Sequence, residues 1–165
     1  MATYSSWLEP LSVFQGFSQE QIDLLRPLFL RFFAPSGTVI FEQGASAENL
    51  YVLINGEAAI WYKPEDGPSL IIAHVRQDGV VGWSAAIGSH QYTSTVICTM
   101  DSQMLRVRSL DLRQLCENHP ETGSLFLERL TALVAERLRI THPQLIALLE
   151  HGLSVNNIEK TVPAD

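Results

Sequence analysis

Histidine, cysteine, carboxylate and guanidinium side chains carry most protein chemistry, and this chain spaces them without a catalytic pattern. Its five histidines are His74, His90, His119, His142 and His151. Jelly rolls include the metal-binding cupins, and cupin-type ligation needs two histidines one residue apart on a strand, with an acid and a third histidine downstream. No such His-x-His pair occurs, and His74 and His90 lie on separate segments. The two cysteines, Cys98 and Cys116, fall in no metal-ligand or redox spacing. Cys98 sits in a predicted strand as a small buried hydrophobe, while Cys116, near Glu117 and His119, could be exposed. No base-plus-orienter arrangement makes Cys116 a credible nucleophile. Arg106, Arg108 and Arg113 form a short basic strip that reads as solvated or ion-paired, with Asp111 and Glu117 close by. Glu57 reads as a solvated turn residue. No triad, paired carboxylates or metal set is visible, so an enzyme is the least supported class, and no catalytic or metal-binding residue is expected.

Composition narrows the classes further. The 165 residues carry 11 Lys and Arg against 18 Asp and Glu, a net charge of −7. A broad nucleic-acid surface would need the opposite sign. Hydrophobic residues at 46% suffice for a core. No apolar run approaches a membrane span, and the first residues lack the basic and apolar regions of a secretory signal. A cytoplasmic protein with reduced cysteines is expected, with no membrane partner.

The elements follow from local signals. Ser18 with Gln21 makes a capping box for a helix carrying Ile22, Leu24, Leu25 and Leu28, which Pro27 should end or bend. Residues 29 to 108 read as β. Pro35-Ser36-Gly37 turns into Thr38–Phe41. Leu50–Ile54 and Glu57–Tyr62 flank Asn55-Gly56, a strong hairpin signal. Leu70–Val75, Tyr92–Thr99 and Gln103–Arg108 are further strands, with Asp78-Gly79 a turn. Short strands at regular turns argue for a sandwich, jelly roll or small barrel. Ser109 is a plausible cap for a short helix, and Pro120 fits a helix start. Leu127, Leu130, Val134, Leu138 and Thr141 make one helical stripe, and Phe126, Leu133 and Ile140 an adjacent one. A helix apolar on two sides packs on its own domain and on a partner helix, or sinks into one core. Pro143 should kink or restart it, with Gln144–Leu149 continuing. Residues 156–165 read as a polar tail, so residues 1–155 form one domain, with a long helix over about 120–141.

Gly37-Thr38-Val39-Ile40-Phe41-Glu42-Gln43-Gly44, then Leu50 to Glu57 and Asp78-Gly79-Val80-Val81-Gly82, resemble the cyclic nucleotide-binding domain family. The sensor domain of Crp/Fnr-type (catabolite activator) proteins is the nearest likeness, and the Asp111-Leu112 and Arg137-Leu138 segments also fit. The resemblance runs from about Phe14 to Leu149 and rests on three separated glycine motifs. It implies a β jelly roll with short N-terminal helices and a long C-terminal helix, which in the Crp/Fnr branch forms a homodimer interface.

The family binds its ligand in a cassette where a Gly-Glu pair opens a short helix, the Glu holds the ribose, and an Arg neutralises the cyclic phosphate. In order, the resemblance places Gly82, Trp83, Ser84, Ala85 and Ala86 there, followed by Tyr92 and Thr93. Trp83 stands for the Glu and Tyr92 for the Arg. Thr93 fits the adjoining hydroxyl position. No Lys or Arg occurs from Gly79 to Thr99. Thr141 and His142 align with the helix positions that meet the nucleobase. An Arg–phosphate hydrogen bond contributes about 1.5–3 kcal/mol, so cyclic AMP or cyclic GMP in the usual pose is disfavoured.

Three alternatives stay open. Trp83 and Tyr92 either shape a pocket for a less anionic ligand or fill one that binds nothing. The N–H groups of Ser84, Ala85 and Ala86 either meet an anion or close a plain turn. Thr141 is either a ligand contact or a core or interface hydroxyl. The expected function is a non-enzymatic ligand-sensing regulatory module with no cofactor, dimerising through its long helix and acting on a protein effector. The residues after Gly152 are too few for a helix-turn-helix domain, so direct DNA binding is not expected. The alternatives are a protein–protein interaction module with an empty pocket, or a cyclic nucleotide binder in a variant pose.

Overall fold

Leu50-Tyr51-Val52-Leu53 is apolar at four successive positions, a pattern that suits a strand covered on both faces. The computed structural model describes the backbone of residues 7–159 and the side chains of residues 7–139, and it covers this strand on both sides. The strands are β1 (Leu30–Ala34), β2 (Val39–Phe41), β3 (Asn49–Asn55), β4 (Glu57–Tyr62), β5 (Leu70–Arg76), β6 (Val80–Val81), β7 (Thr95–Cys98) and β8 (Ser102–Arg108). They pair antiparallel in two four-stranded sheets, β1-β8-β3-β6 and β2-β7-β4-β5. Helices α1 (Gln19–Leu25), α2 (Ser109–Asn118) and α3 (Pro120–Glu159) complete the expected jelly roll with flanking helices.

Two cores result, and β3 serves both. Tyr51 and Leu53 meet Ala58, Val96 and Met104 between the sheets. Leu50 and Val52 face the helical layer with Val80, Leu105 and Val107. There Phe14, Phe29 and Phe126 converge from three parts of the chain, with ring centroids 5.0 to 6.2 Å apart. Phe126 and Leu130 are buried, which anchors the first turns of α3 on the first sheet.

Several local signals act as expected. The Ser18 hydroxyl accepts from the Gln21 N–H at 3.2 Å, and the Gln21 side chain accepts from the Ser18 N–H at 2.9 Å. Pro27 ends α1 in a 3-10 turn, Arg26–Leu28. Pro120 is the first residue of α3.

Other signals are overridden. Asn55-Gly56 does not close a hairpin, because β3 and β4 belong to different sheets. A type I′ turn needs φ > 0 at both central residues, and Gly56 alone of the pair has it, at +96°. A Cβ on Gly56 would lie 2.7 Å from the Asp101 carbonyl oxygen, so this glycine lets β8 approach the corner. Asn55 accepts from the Gln103 N–H at 3.1 Å, tying the corner to the same strand.

Ser109 is not a cap either. It is the first residue of α2, and Arg108 instead grips the Asp111 carboxylate with two hydrogen bonds, 2.9 and 3.0 Å, across the first turn. Nor is Glu57 a solvated turn residue. On β4 it accepts from Arg76 Nε at 2.9 Å and Thr99 Oγ1 at 2.8 Å, with His74 Nδ1 at 3.2 Å. These bonds, Arg76 first, hold its carboxyl below the ordinary glutamate range.

The long helix does not stop near residue 141. It runs through Pro143 to Glu159, so residues 156–159 of the expected tail are helical. A proline removes one backbone donor and costs about 3 kcal/mol inside a helix. The good helix formers on both sides, such as Gln144 to Glu150, offset it.

Candidate ligand pocket

Gly82 follows β6 directly and has φ +76°. A Cβ there would lie 2.8 Å from the Asn49 carbonyl oxygen and 3.2 Å from the Phe41 ring, so only glycine fits without strain. Gly82 caps a one-turn 3-10 helix, Trp83–Ala85. Its N–H groups are partly committed: Ala85 donates to Gly82 at 3.1 Å and Ala86 to Trp83 at 2.9 Å. The N–H groups of Ala85 and Ala86 thus close the turn. Ser84 and Ala85 are buried.

Tyr92 reaches the same place from the loop before β7. It is buried, with its ring stacked on Phe41 at 3.8 Å between centroids and 17° between planes. Its hydroxyl donates to the Asn49 carbonyl at 2.7 Å and accepts from the Asn49 N–H at 3.0 Å. Burial pushes the phenol pKa up, so Tyr92 stays neutral at physiological pH. Thr93 is exposed at the pocket's edge.

The third contributor comes from α3. Arg137 lines the pocket and its guanidinium donates to the carbonyl of Val80. Burial lowers its pKa to about 10, leaving it charged at neutral pH. A cation thus stands at this pocket, delivered by the long helix and not by the cassette turn. With Tyr92 and Arg137 in place, the remaining volume is about 30 Å³. That is room for water, whereas small-molecule sites occupy about 300–1,000 Å³.

The pocket therefore gathers Gly82, Trp83, Ser84, Tyr92 and Thr93 but not Ala85 or Ala86. The side chain of Thr141 lies outside the described residues. Arg137 was legible only as a family-pattern residue; it precedes Thr141 by four, hence on the same helix face. The Phe41–Tyr92 stack and the Asn49 bonds had no sequence signal.

Trp83 is half-buried and shared between two places. Besides the pocket, it lines an apolar groove of about 250 Å³ with Ile87, Leu127, Val134 and Leu138. Ile87 and Leu138 are 64% and 58% exposed, so α3 keeps an uncovered apolar flank beside the cassette turn.

The cysteines sit in unreactive surroundings. Cys98 is buried, and Cys116 packs where a Cβ on Gly123 would meet its sulfur at 2.6 Å. Burial raises both thiol pKa values, against thiolate formation. Among the described residues no group of three or more His, Cys, Asp and Glu could hold a metal ion, and no helix is long and apolar enough to cross a membrane.

Residues 31–119 match the cyclic nucleotide-binding domain family. The cAMP-activated global transcriptional regulator CRP of Escherichia coli O6:H1 is 28% identical over 108 residues, covering 65% of this chain and 50% of the relative. The chain thus spans about half the length of the relatives it matches. The catabolite activator protein of Thermus thermophilus superposes with a TM-score of 0.67 at 25% identity, over 83% of this chain and 62% of that one. A cyclic nucleotide-binding domain from Methylobacillus flagellatus shares the fold, with a TM-score of 0.74 at 21% identity over 79% and 74% of the two chains. The chain belongs to the cyclic nucleotide-binding domain family.

Proposed function

We propose that this chain is a non-enzymatic, ligand-sensing regulatory module whose pocket lacks the usual Glu and Arg and is closed by its own side chains. The observation that carries the reading is Arg137: a residue of α3 lines the same pocket as the cassette turn. A ligand larger than a few waters has to displace Tyr92 or Arg137. Moving Arg137 off the Val80 carbonyl perturbs α3, and a ligand with different affinity for the two arrangements shifts their balance. The signal leaves through α3, over residues 120–141, by which two copies pair; the uncovered flank at Trp83, Ile87 and Leu138 supports that pairing. The setting is the cytoplasm and the receiver another protein. Cyclic AMP or cyclic GMP in the family's usual pose remains disfavoured, since Tyr92 stands at the expected arginine position with both hydroxyl bonds committed to Asn49.

A second reading has its own support. The residual 30 Å³ and the locked Tyr92 ring also suit an interaction module whose pocket is permanently filled. A thermal-shift screen of cyclic mono- and dinucleotides and small apolar metabolites separates the two, with Trp83→Ala alongside. Ligand at 100 times its Kd stabilises by about 2.7 kcal/mol. A shift with a ligand other than cyclic AMP or cyclic GMP, lost in Trp83→Ala, supports the sensor. A clear shift with cyclic AMP overturns the cassette reading. No shift with any compound, and a dimer unaltered in the variant, favours the interaction module.

A further inference from the structure

A far larger cavity, about 630 Å³, opens on the outer face of the second sheet, away from the pocket above. Its base is Trp61 of β4 with its cross-strand neighbour Thr95 and Ile97 of β7. Ile60 faces the core between the sheets, so Trp61 next to it faces outward, and it is only half-buried. The walls come from the segment after β2, with Glu42 and Gln43, and from the connection between β4 and β5, with Lys63 and Glu65. Gln43 clamps these walls together. Its amide donates to the Lys63 carbonyl and accepts from the Lys63 N–H, both at 2.9 Å, and its own N–H donates to Thr95 Oγ1 at 2.9 Å. The cleft is thus shaped by tied backbone. Such preorganisation reduces the ordering entropy lost on binding.

Its charges are uncommitted. Glu42, Glu65 and Lys63 take part in none of the ion pairs among the described residues. Two carboxylates, one ammonium and an indole line the cleft, and an indole's π face attracts cations. The chain's net charge of −7 draws cations from longer range. The volume lies within the span of small-molecule sites.

We propose that this cleft binds a small organic cation, an ammonium on an aromatic or aliphatic body, with the body on Trp61 and the charge between Glu42 and Glu65. The proposal is independent of the inner pocket. It is tested on the full chain by titrating 2-phenylethylammonium and following the tryptophan indole N–H resonances by NMR. Trp61 is assigned by the peak missing in Trp61→Phe. The expected result is a saturable shift of the Trp61 signal with Trp83 unmoved. Phenylacetate, the same body with opposite charge, binds at least about tenfold more weakly. The isosteric Glu42→Gln/Glu65→Gln variant melts as wild type and binds about tenfold more weakly. No saturable Trp61 shift, equal binding of phenylacetate, or wild-type affinity in the double variant overturns the proposal.

Discussion

The inner pocket and the outer cleft share the second sheet and differ in almost every physical respect. The inner one holds about 30 Å³, the outer about 630 Å³. Inside, Tyr92 and Arg137 donate hydrogen bonds to the backbone carbonyls of Asn49 and Val80. Outside, the carboxylates of Glu42 and Glu65 stay solvated and uncommitted while a glutamine ties the backbone. A buried polar side chain that satisfies backbone is expensive to move, so the inner site resists ligands until something displaces a side chain. An exposed charge exchanges water for ligand at little cost. The family's inherited site is therefore the harder of the two to fill.

The largest test of this contrast removes an aromatic ring from each place. Tyr92→Ala should lower stability by about 3–5 kcal/mol, the usual range for emptying a packed aromatic position. Trp61→Ala, only half-buried, should lose about 1–2 kcal/mol less. Urea denaturation measures both, and equal losses would erase the distinction. Gly82→Ala comes next. A Cβ placed 2.8 Å from the Asn49 carbonyl oxygen, at φ +76°, should destabilise by about 1–3 kcal/mol. The same denaturation curves read it, and a neutral substitution would mean the cassette turn can move away from β3. Tyr92→Phe is subtler, since it keeps the stack and deletes the hydroxyl. The Asn49 amide and carbonyl then lose their partner, for about 1–2 kcal/mol. A loss near zero would show that packing alone seals the pocket.

The smallest effect concerns the outer face, where Glu57 lies. Its folded carboxyl is held down by Arg76 and Thr99. A depressed folded pKa contributes stability above the unfolded value, about 4.3, and that stability is lost as pH falls through the folded value. Glu57→Gln should therefore lower the melting temperature near pH 7, where that stability is present, and the two curves should converge as pH falls below about 4.3. An unchanged acid limb would place the ion pair in solvent.

How far sequence reads through to structure varies from residue to residue. The Ser18–Gln21 box formed because its partners are three residues apart, and covalent proximity alone brings them together. Asn55-Gly56 misled for the opposite reason. Its local preference was for a hairpin, but the strands on either side had better partners far along the chain, β8 and β7. The candidate site shows the same divide. Gly82 was legible because a backbone that needs positive φ selects glycine. That Tyr92 would lie on Phe41 was not, since 51 positions separate them and only sheet pairing brings them together.

By itself, then, the sequence determined most of the strands, the Ser18 cap, the apolar doubling of β3, and the lack of any Lys or Arg from Gly79 to Thr99. These are matters of composition and short-range period, which the chain expresses before it folds. The tertiary structure alone decided that a cation nonetheless stands at the pocket, because α3 packs its Arg137 beneath Val80. It also decided that the inner volume closes while an outer one opens. Volume is what remains after distant side chains pack, and no stretch of sequence carries it.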